Sequence, residues 1–423
     1  MNGPVLFETA DPLLARAAWS RIAEPGDRDA GVLVGRLGPV AALEWLLAVA
    51  DRAPGGVRFK VDGEVRGEGR AAIVRGGVER GLAVGSKAAP GAGEGVRRAV
   101  ARWVARLENL DPRRELRVLR DLGGRLIVPE DPDWPDGLRE LGDSAPLALW
   151  AIGVESALTD LAGFVTPSVA VVGSRASTRY GEAVTAQMVA GLVGQGFGIV
   201  SGGAFGIDAA AHRAALGCGG RTAAVMAGGV DRLYPKGNTS LLREIVRVGV
   251  VLSEVPPGSA PRRERFLARN RLIAAMTTTT VVVEAGWRSG ARNTASHAAG
   301  LVRPVGAVPG PVTSAASAGC HRLIRDGIAT CVTDCDDVIE LIGPIRLDLG
   351  AGPGPQRLLD DFKPAERVVL DCLPARSVAS VESVAAAAGQ PVRTVLAALG
   401  ALERRGAAHR AGSGWARGSG SAG

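Results

Sequence analysis

Four stretches of this chain carry residue types that could hold an anion. The first is Gly173-Ser174-Arg175, directly after the apolar run Val169 to Val172. Glycine lets the backbone turn tightly and approach a ligand closely. A hydroxyl, free N–H groups and a guanidinium beside it suit a phosphate. The same tripeptide also suits an ordinary turn, and it lacks the Gly-x-Gly-x-x-Gly spacing of a dinucleotide loop. The second stretch is Ser201-Gly202-Gly203-Ala204-Phe205-Gly206, ahead of the helical pattern Ile207 to Leu216. Three glycines before a helix N-terminus form an anion cradle. Asp208 and His212 follow at i, i+4 and share one helix face. They read either as a metal or acid–base pair or as a structural pair beside the turn. The lack of a third ligand nearby favours the structural reading.

The third stretch runs Ala227-Gly228-Gly229-Val230-Asp231 and then Tyr234-Pro235-Lys236-Gly237-Asn238. Lysine is scarce in this arginine-rich chain, with only Lys60, Lys87, Lys236 and Lys363. Lys236 is therefore less readily dismissed as surface decoration, and it is placed to reach a phosphate held by the neighbouring loops. Tyr234 suits either a stacked base or the core. The fourth stretch is the most basic: Arg262, Arg263, Arg265, Arg269 and Arg271 against one acid, Glu264. It reads as a phosphate-binding face or as a solvated loop. Glu254 and Glu284 both end apolar runs. Two carboxylates there could perform acid–base chemistry or could pair with Arg269 or Arg271 and fix the loops.

These stretches need a scaffold that brings them to one place. Apolar runs at Val169 to Val172, Gly198 to Ser201, Thr222 to Met226, Val250 to Leu252, Thr280 to Val283 and Val305 to Val308 alternate with helix-compatible segments. Such alternation predicts an α/β fold, a Rossmann-like and mostly parallel sheet with helices on both faces. Ligands bind such sheets beyond the carboxyl ends of the strands, where all four stretches fall. Before this core, helices are expected at Leu13 to Ile22, Ala41 to Ala50 and Val100 to Asn109, with a short strand at Gly124 to Val128. The Gly- and Arg-rich stretch Arg52 to Gly95, with alternation at Val57 to Val65, is left unassigned. After the core, Gly350 to Pro355 reads as a linker. Helical patterns at Ala365 to Cys372, Val381 to Ala388 and Val392 to Arg404, then a hairpin at Ala407 to Ala416, suit a winged helix. A plain three-helix bundle for protein contacts is the alternative. The expected divisions are a mainly helical domain over 1–110, a lead-in over 111–168, the core over 169–345, a linker over 346–362, the winged helix over 363–417 and a disordered tail over 418–423.

A chain of 423 residues should form two or three domains. Its net charge of +7 and pI near 9.6 favour an anionic partner without identifying one. Five cysteines, an odd number without Cys-x-x-Cys spacing, do not make a disulfide framework or a zinc site. Free thiols, the absence of a secretory signal and the absence of an apolar run of ~18 residues lead us to expect a soluble cytoplasmic protein that does not enter membranes.

Taken together, the loops resemble the DprA/Smf family of DNA-processing proteins. The matching residues are Gly173-Ser174-Arg175, Tyr180-Gly181, Ser201-Gly202-Gly203-Ala204, Gly206-Ile207-Asp208, Ala211-His212, Tyr234-Pro235, Ser253-Glu254, Arg269-Asn270-Arg271, Glu284-Ala285, Ser289-Gly290, Ala307-Val308-Pro309-Gly310, and Gly319 with Leu323-Ile324. Asp131-Pro132, Trp134-Pro135 and Pro146 look like the family's lead-in. Arg292-Asn293 and the polar run Met276 to Thr280 depart from the family pattern. The resemblance implies a Rossmann-like fold without a nucleotide cofactor, and no catalytic or metal site. It implies binding and protection of single-stranded DNA, a homodimer, and loading of the recombinase RecA in recombination and natural transformation. It places Arg175 and Lys236 on DNA phosphates, with Gly173, Ser174, Ser201, Gly202, Gly203, Phe205 and Gly206 beside them. Arg269 and Arg271 either line the same groove or brace it. Two other function classes stay open. One is a nucleotide hydrolase of the lysine-decarboxylase-like group, whose Pro-Gly-Gly-x-Gly-Thr-x-x-Glu motif is not reproduced at Pro309-Gly310-Pro311. The other is a transcriptional regulator acting through the C-terminal helices.

Overall fold

The computed structural model describes residues 8–51, 92–108, 110–343, 363–374, 378–412 and 414–418. Val57 to Val65, Asn109, the linker Gly350 to Pro355 and tail residues 419–423 lie outside the described residues. By packing, the chain divides into two units, Met1–Leu349 and Gly350–Gly423.

The first unit is built on a nine-stranded sheet in the order β1-β2-β6-β5-β4-β3-β7-β8-β9. Its strands are β1 (Arg125–Ile127), β2 (Leu149–Gly153), β3 (Ser168–Val172), β4 (Gly198–Gly202), β5 (Thr222–Met226), β6 (Val250–Ser253), β7 (Thr279–Val282), β8 (Val305–Ala307) and β9 (Thr330–Cys331). From β6 across to β9 every pairing is parallel. The fold is thus the mixed α/β architecture with a mostly parallel sheet that the alternation predicts. β3, β5 and β7 are buried along their whole length. Helices cover both faces of a parallel sheet, so its strands read as unbroken apolar runs. Side chains nevertheless alternate between the faces. Val169 and Val171 pack with Met188, Val189 and Leu192, whereas Ala170 and Val172 pack with Leu272 and Ile273. Each fully buried valine or leucine contributes ~1.5–3 kcal/mol of burial.

β1 and β2 extend the sheet antiparallel, with β2 against β6. We did not anticipate β2. Leu147 to Ile152 is one apolar run without the period of two, and such a run does not distinguish a strand from a buried helix.

Helices α1 (Pro12–Ile22), α2 (Arg28–Leu37), α3 (Pro39–Asp51) and α4 (Ala92–Val104) precede the sheet. Asp11 caps α1 by accepting from the N–H groups of Leu13 and Leu14, and Asp27 caps α2 likewise. α4 begins eight residues before the expected Val100, because Gly93 and Gly95 lower helix propensity and mask its start. These helices share a core in which Trp19 and Trp103 meet edge to face with centroids 5.6 Å apart. They dock on the sheet where the Trp150 indole donates to Ser20 Oγ at 3.0 Å.

Between the strands run α5 (Arg179–Gly194), α6 (Ile207–Gly217), α7 (Thr239–Val248), α8 (Arg263–Ala275) and α9 (Ala291–Gly300). β3 to β6 proceed in one direction across the sheet. β7 then returns to the other side of β3. The reversal puts the topological switch point between the carboxyl ends of β3 and β7, the place where open α/β sheets usually bind ligands.

The second unit contains α10 (Pro364–Asp371), α11 (Val381–Ala388), α12 (Val392–Arg404) and the antiparallel hairpin of β10 (Ala408–Ala411) and β11 (Gly414–Arg417). Ser380 caps α11, and Gly389 ends it in the left-handed conformation. Val369, Leu373, Val384, Val395, Leu399 and Trp415 form the core. Val392 and Leu396 stay exposed on α12.

Candidate functional site

The loops after β3, β4 and β5 meet at one end of the sheet. Gly206 adopts φ +76°, and its missing side chain leaves room for the carbonyl oxygens of Ser174 and Arg175. The Ile207 N–H donates to Ser174 O at 3.1 Å, which ties the first two loops together. Gly173 is needed for the same junction, since a Cβ there would lie 2.5 Å from Ile207 Cγ1. Asn238 is 2% exposed and donates from Nδ2 to Gly203 O at 3.0 Å and Ala204 O at 2.9 Å, which joins the third loop. The phenyl ring of Phe205 covers Gly237. The backbone N–H groups of Phe205 and Gly206 have no acceptor among the described residues and stand at the N-terminus of α6. Free donors and the helix dipole together favour an anion there.

Cations and aromatic rings surround this turn. Arg175 and Lys236 are exposed and form no ion pair among the described residues. The Arg175 guanidinium lies 4.8 Å from the centre of the Phe266 ring. Phe266 in turn meets Tyr234, with centroids 6.1 Å apart. Phe205 and Tyr234 remain 48% and 46% exposed in a chain of few aromatics, so the structure does not use these rings as core. Arg262 and Arg263, beside Phe266, are also exposed and unpaired among the described residues. Phe266 was not among the expected site residues; in the sequence it is a lone aromatic inside an arginine run.

Other expected site residues are engaged by the protein itself. The Ser201 hydroxyl is fully buried and donates to Val171 O at 2.6 Å. Ser174 Oγ donates to Ala176 O at 3.1 Å. Leu242 and Met226 back Gly203. The Arg269 guanidinium fills the space a side chain at Gly202 would need and donates to Val225 O at 2.6 Å. Arg271 forms a two-pronged pair with Glu254, at 2.7 and 2.6 Å, and donates from Nε to Ser144 O. The backbone N–H of Gly26 approaches the same carboxylate at 3.3 Å and closes the pair from the helical side. Arg265 is held by Glu24 at 2.9 and 3.0 Å.

Beneath the glycine turn lies a buried polar cluster. Burial raises the Asp208 carboxyl to about 6, although the nearby Arg269 charge opposes the rise. Burial lowers His212 to about 4 and Arg269 to about 10. His212 Nδ1 lies 2.7 Å from Thr222 Oγ1. Among the described residues Arg269 Nε has no hydrogen-bond partner, and the His212 ring lies against the backbone of Gly202. Asp208 and His212 are buried under the turn, not presented to a ligand at the surface.

The switch point itself is occupied by protein. Glu284, 2% exposed, accepts from the Thr178 N–H at 2.9 Å and the Thr178 hydroxyl at 2.6 Å. Gly181 presses on the same carboxylate, and any side chain there would displace it. Glu284 therefore pairs with the N-cap of α5, not with Arg269 or Arg271.

A family model for DNA recombination-mediator protein A matches residues 125–343. The chain is 47% identical over 328 residues to a Mycobacterium tuberculosis protein named for DNA processing and DprA, covering 73% of this chain and 83% of that one. It is 43% identical to the DNA processing protein DprA of Streptococcus pneumoniae, covering 49% and 71% of the two chains. The crystal structure of DprA from Streptococcus pneumoniae matches with 37% identity and a TM-score of 0.50, over 57% of this chain and 81% of that one. The matched span takes in the sheet and the loops after β3, β4, β5 and β7, so this chain belongs to the DprA/Smf family of DNA-processing proteins.

Proposed function

We propose that this protein grips single-stranded DNA by its phosphates along the strand-end loops and serves as a recombination mediator. The observation that carries the reading is the pairing of unspent cations with open aromatic rings around a helix N-terminus. Arg175 and Lys236 flank the free N–H groups of Phe205 and Gly206, and Phe205, Tyr234 and Phe266 stand beside them. Phosphates suit the cations and the turn. Unpaired bases suit the rings, whereas a duplex keeps its bases stacked inside. In this reading Arg269 and Arg271 brace the groove and do not touch DNA.

The finer role follows family membership: a homodimer that protects incoming single strands and loads RecA on them during recombination and natural transformation, in the cytoplasm and without turnover. Among the described residues no single helix is long and apolar enough to cross a bilayer. We read the second unit as a winged helix. The exposed Val392 and Leu396 on α12 support a protein contact there.

The test is a salt titration of oligonucleotide binding, single strand against duplex. Affinity for the single strand should exceed that for duplex and fall steeply with salt as counterions are released. Unchanged affinity in both Arg175→Ala and Lys236→Ala would sink the phosphate reading. The mediator role is checked by RecA filament growth on coated single strands, with and without this protein.

A further inference from the structure

We propose that the strand path continues past Arg175, across the end of the sheet, to a second stacking station at Trp287; this rests on the single-strand reading above. Six of the seven tryptophans are buried or half-buried. Trp287, in the loop after β7, is 55% exposed. Its exposure does not come from a loose loop. Trp287 O accepts from Arg292 Nη1 at 2.7 Å, and the Ser289 N–H donates to Gly286 O at 3.0 Å. Asn270 Nδ2 reaches Gly290 O at 3.3 Å from the neighbouring helix. The loop thus presents the indole in a fixed position.

The ring is set up for stacking. The Arg322 guanidinium lies 5.1 Å from its centre. Asp326 shares the Arg322 charge at 2.8 Å, so the unspent cations at this end are Arg288 and, on the β3 side, Arg179. Both are exposed and form no ion pair among the described residues. An open ring beside unpaired cations is the pattern that single-stranded nucleic acid meets in sequence-tolerant binders.

Geometry links the two stations. In sheet order the carboxyl ends run β5, β4, β3, β7, carrying Lys236, Phe205, Arg175 and Trp287. Neighbouring strands lie ~4.8 Å apart, so three steps span ~14 Å, the reach of a few nucleotides. Tyr180, which opens α5 after β3, is 44% exposed, with its hydroxyl donating to Pro309 O at 2.7 Å. That bond fastens the start of α5 to the loop after β8 and so ties the β3 side of the sheet end to the β8 side.

The experiment uses the full chain and end-labelled oligothymidylates of about 2 and about 15 nucleotides, the first too short to span both stations and the second long enough to fill a single binding module. Trp287→Ala should weaken the long strand about five-fold or more, the equivalent of one lost base stack, and leave the short strand unchanged. Retained short-strand affinity shows the variant is folded. The long strand should also quench tryptophan emission in the native chain, and Trp287→Phe should abolish that quenching. Wild-type affinity for both lengths in Trp287→Ala, equal weakening of both, or quenching that survives in Trp287→Phe would each overturn the proposal. Arg175→Ala should weaken both lengths. If it weakens neither, the first patch fails, and the Trp287 result is then read independently.

Discussion

Arginines 262 and 263 differ from arginines 265, 269 and 271 in one respect, and it is not residue type. All five fall within ten positions. The first two are exposed and unpaired among the described residues. The other three are occupied: Arg265 by Glu24, Arg269 by Val225 O and Arg271 by Glu254. Charge density along a sequence is therefore not the charge a ligand can use. The occupied set holds the loops in place, and the unspent set faces outward from them.

Each side of this contrast can be broken separately. The largest effect should come from Glu254→Ala, which leaves Arg271 buried without its counter-charge. That loss should cost about 3–5 kcal/mol in chemical denaturation. Binding per folded molecule should change little, and a large specific loss of binding would move Arg271 into the groove.

The polar cluster around Arg269 should show opposed pH dependences. Asp208 has a folded pKa raised to about 6, so its contribution is full below its unfolded value and is lost as pH rises through about 6. His212 has a folded pKa lowered to about 4, so its contribution is full above its unfolded value and is lost as pH falls toward about 4. Each shift corresponds to about 3 kcal/mol. The two nearly cancel between pH 4 and 6. Asp208→Asn should remove one side, so that relative to the native chain its stability falls more steeply with acid between about pH 6 and about pH 4, measured as denaturation midpoint against pH. An unchanged slope relative to the native chain would mean Asp208 does not hold its proton in the fold.

The unspent set should behave in the reverse manner. Arg175→Ala and Lys236→Ala should shift stability by less than about 0.5 kcal/mol. Each should weaken single-strand binding about ten-fold, through loss of a charged hydrogen bond, and lower the salt slope by about one. Arg262→Ala and Arg263→Ala should act in the same direction. Loss of stability in any of these four would erase the contrast.

The parallel sheet was legible because its strands are buried on both faces. Thr222–Met226 is an unbroken apolar run and forms β5 as read. The glycine turn was legible because Gly206 needs φ +76° and Gly173 a bare backbone. The division of the arginines was legible only in part. Glu254 was read as a partner for Arg269 or Arg271, and it takes Arg271. The backbone acceptors were not legible: Arg271 finds Ser144 127 residues away and Arg269 finds Val225 at 44. Local spacing carries no trace of such acceptors. Glu284 was identified, but its partner Thr178 lies 106 residues earlier and is an unremarkable N-cap residue. The stack of Arg175 on Phe266 bridges two loops in the same way.

The Glu284–Thr178 contact has a topological consequence. It seals with protein the crevice in which this class of sheet usually encloses a small ligand. A strand gripped outside that seal lies across the ends of the loops and can be laid down or lifted off broadside. It need not be threaded, so a covalently closed single-stranded circle should bind as well as a linear strand.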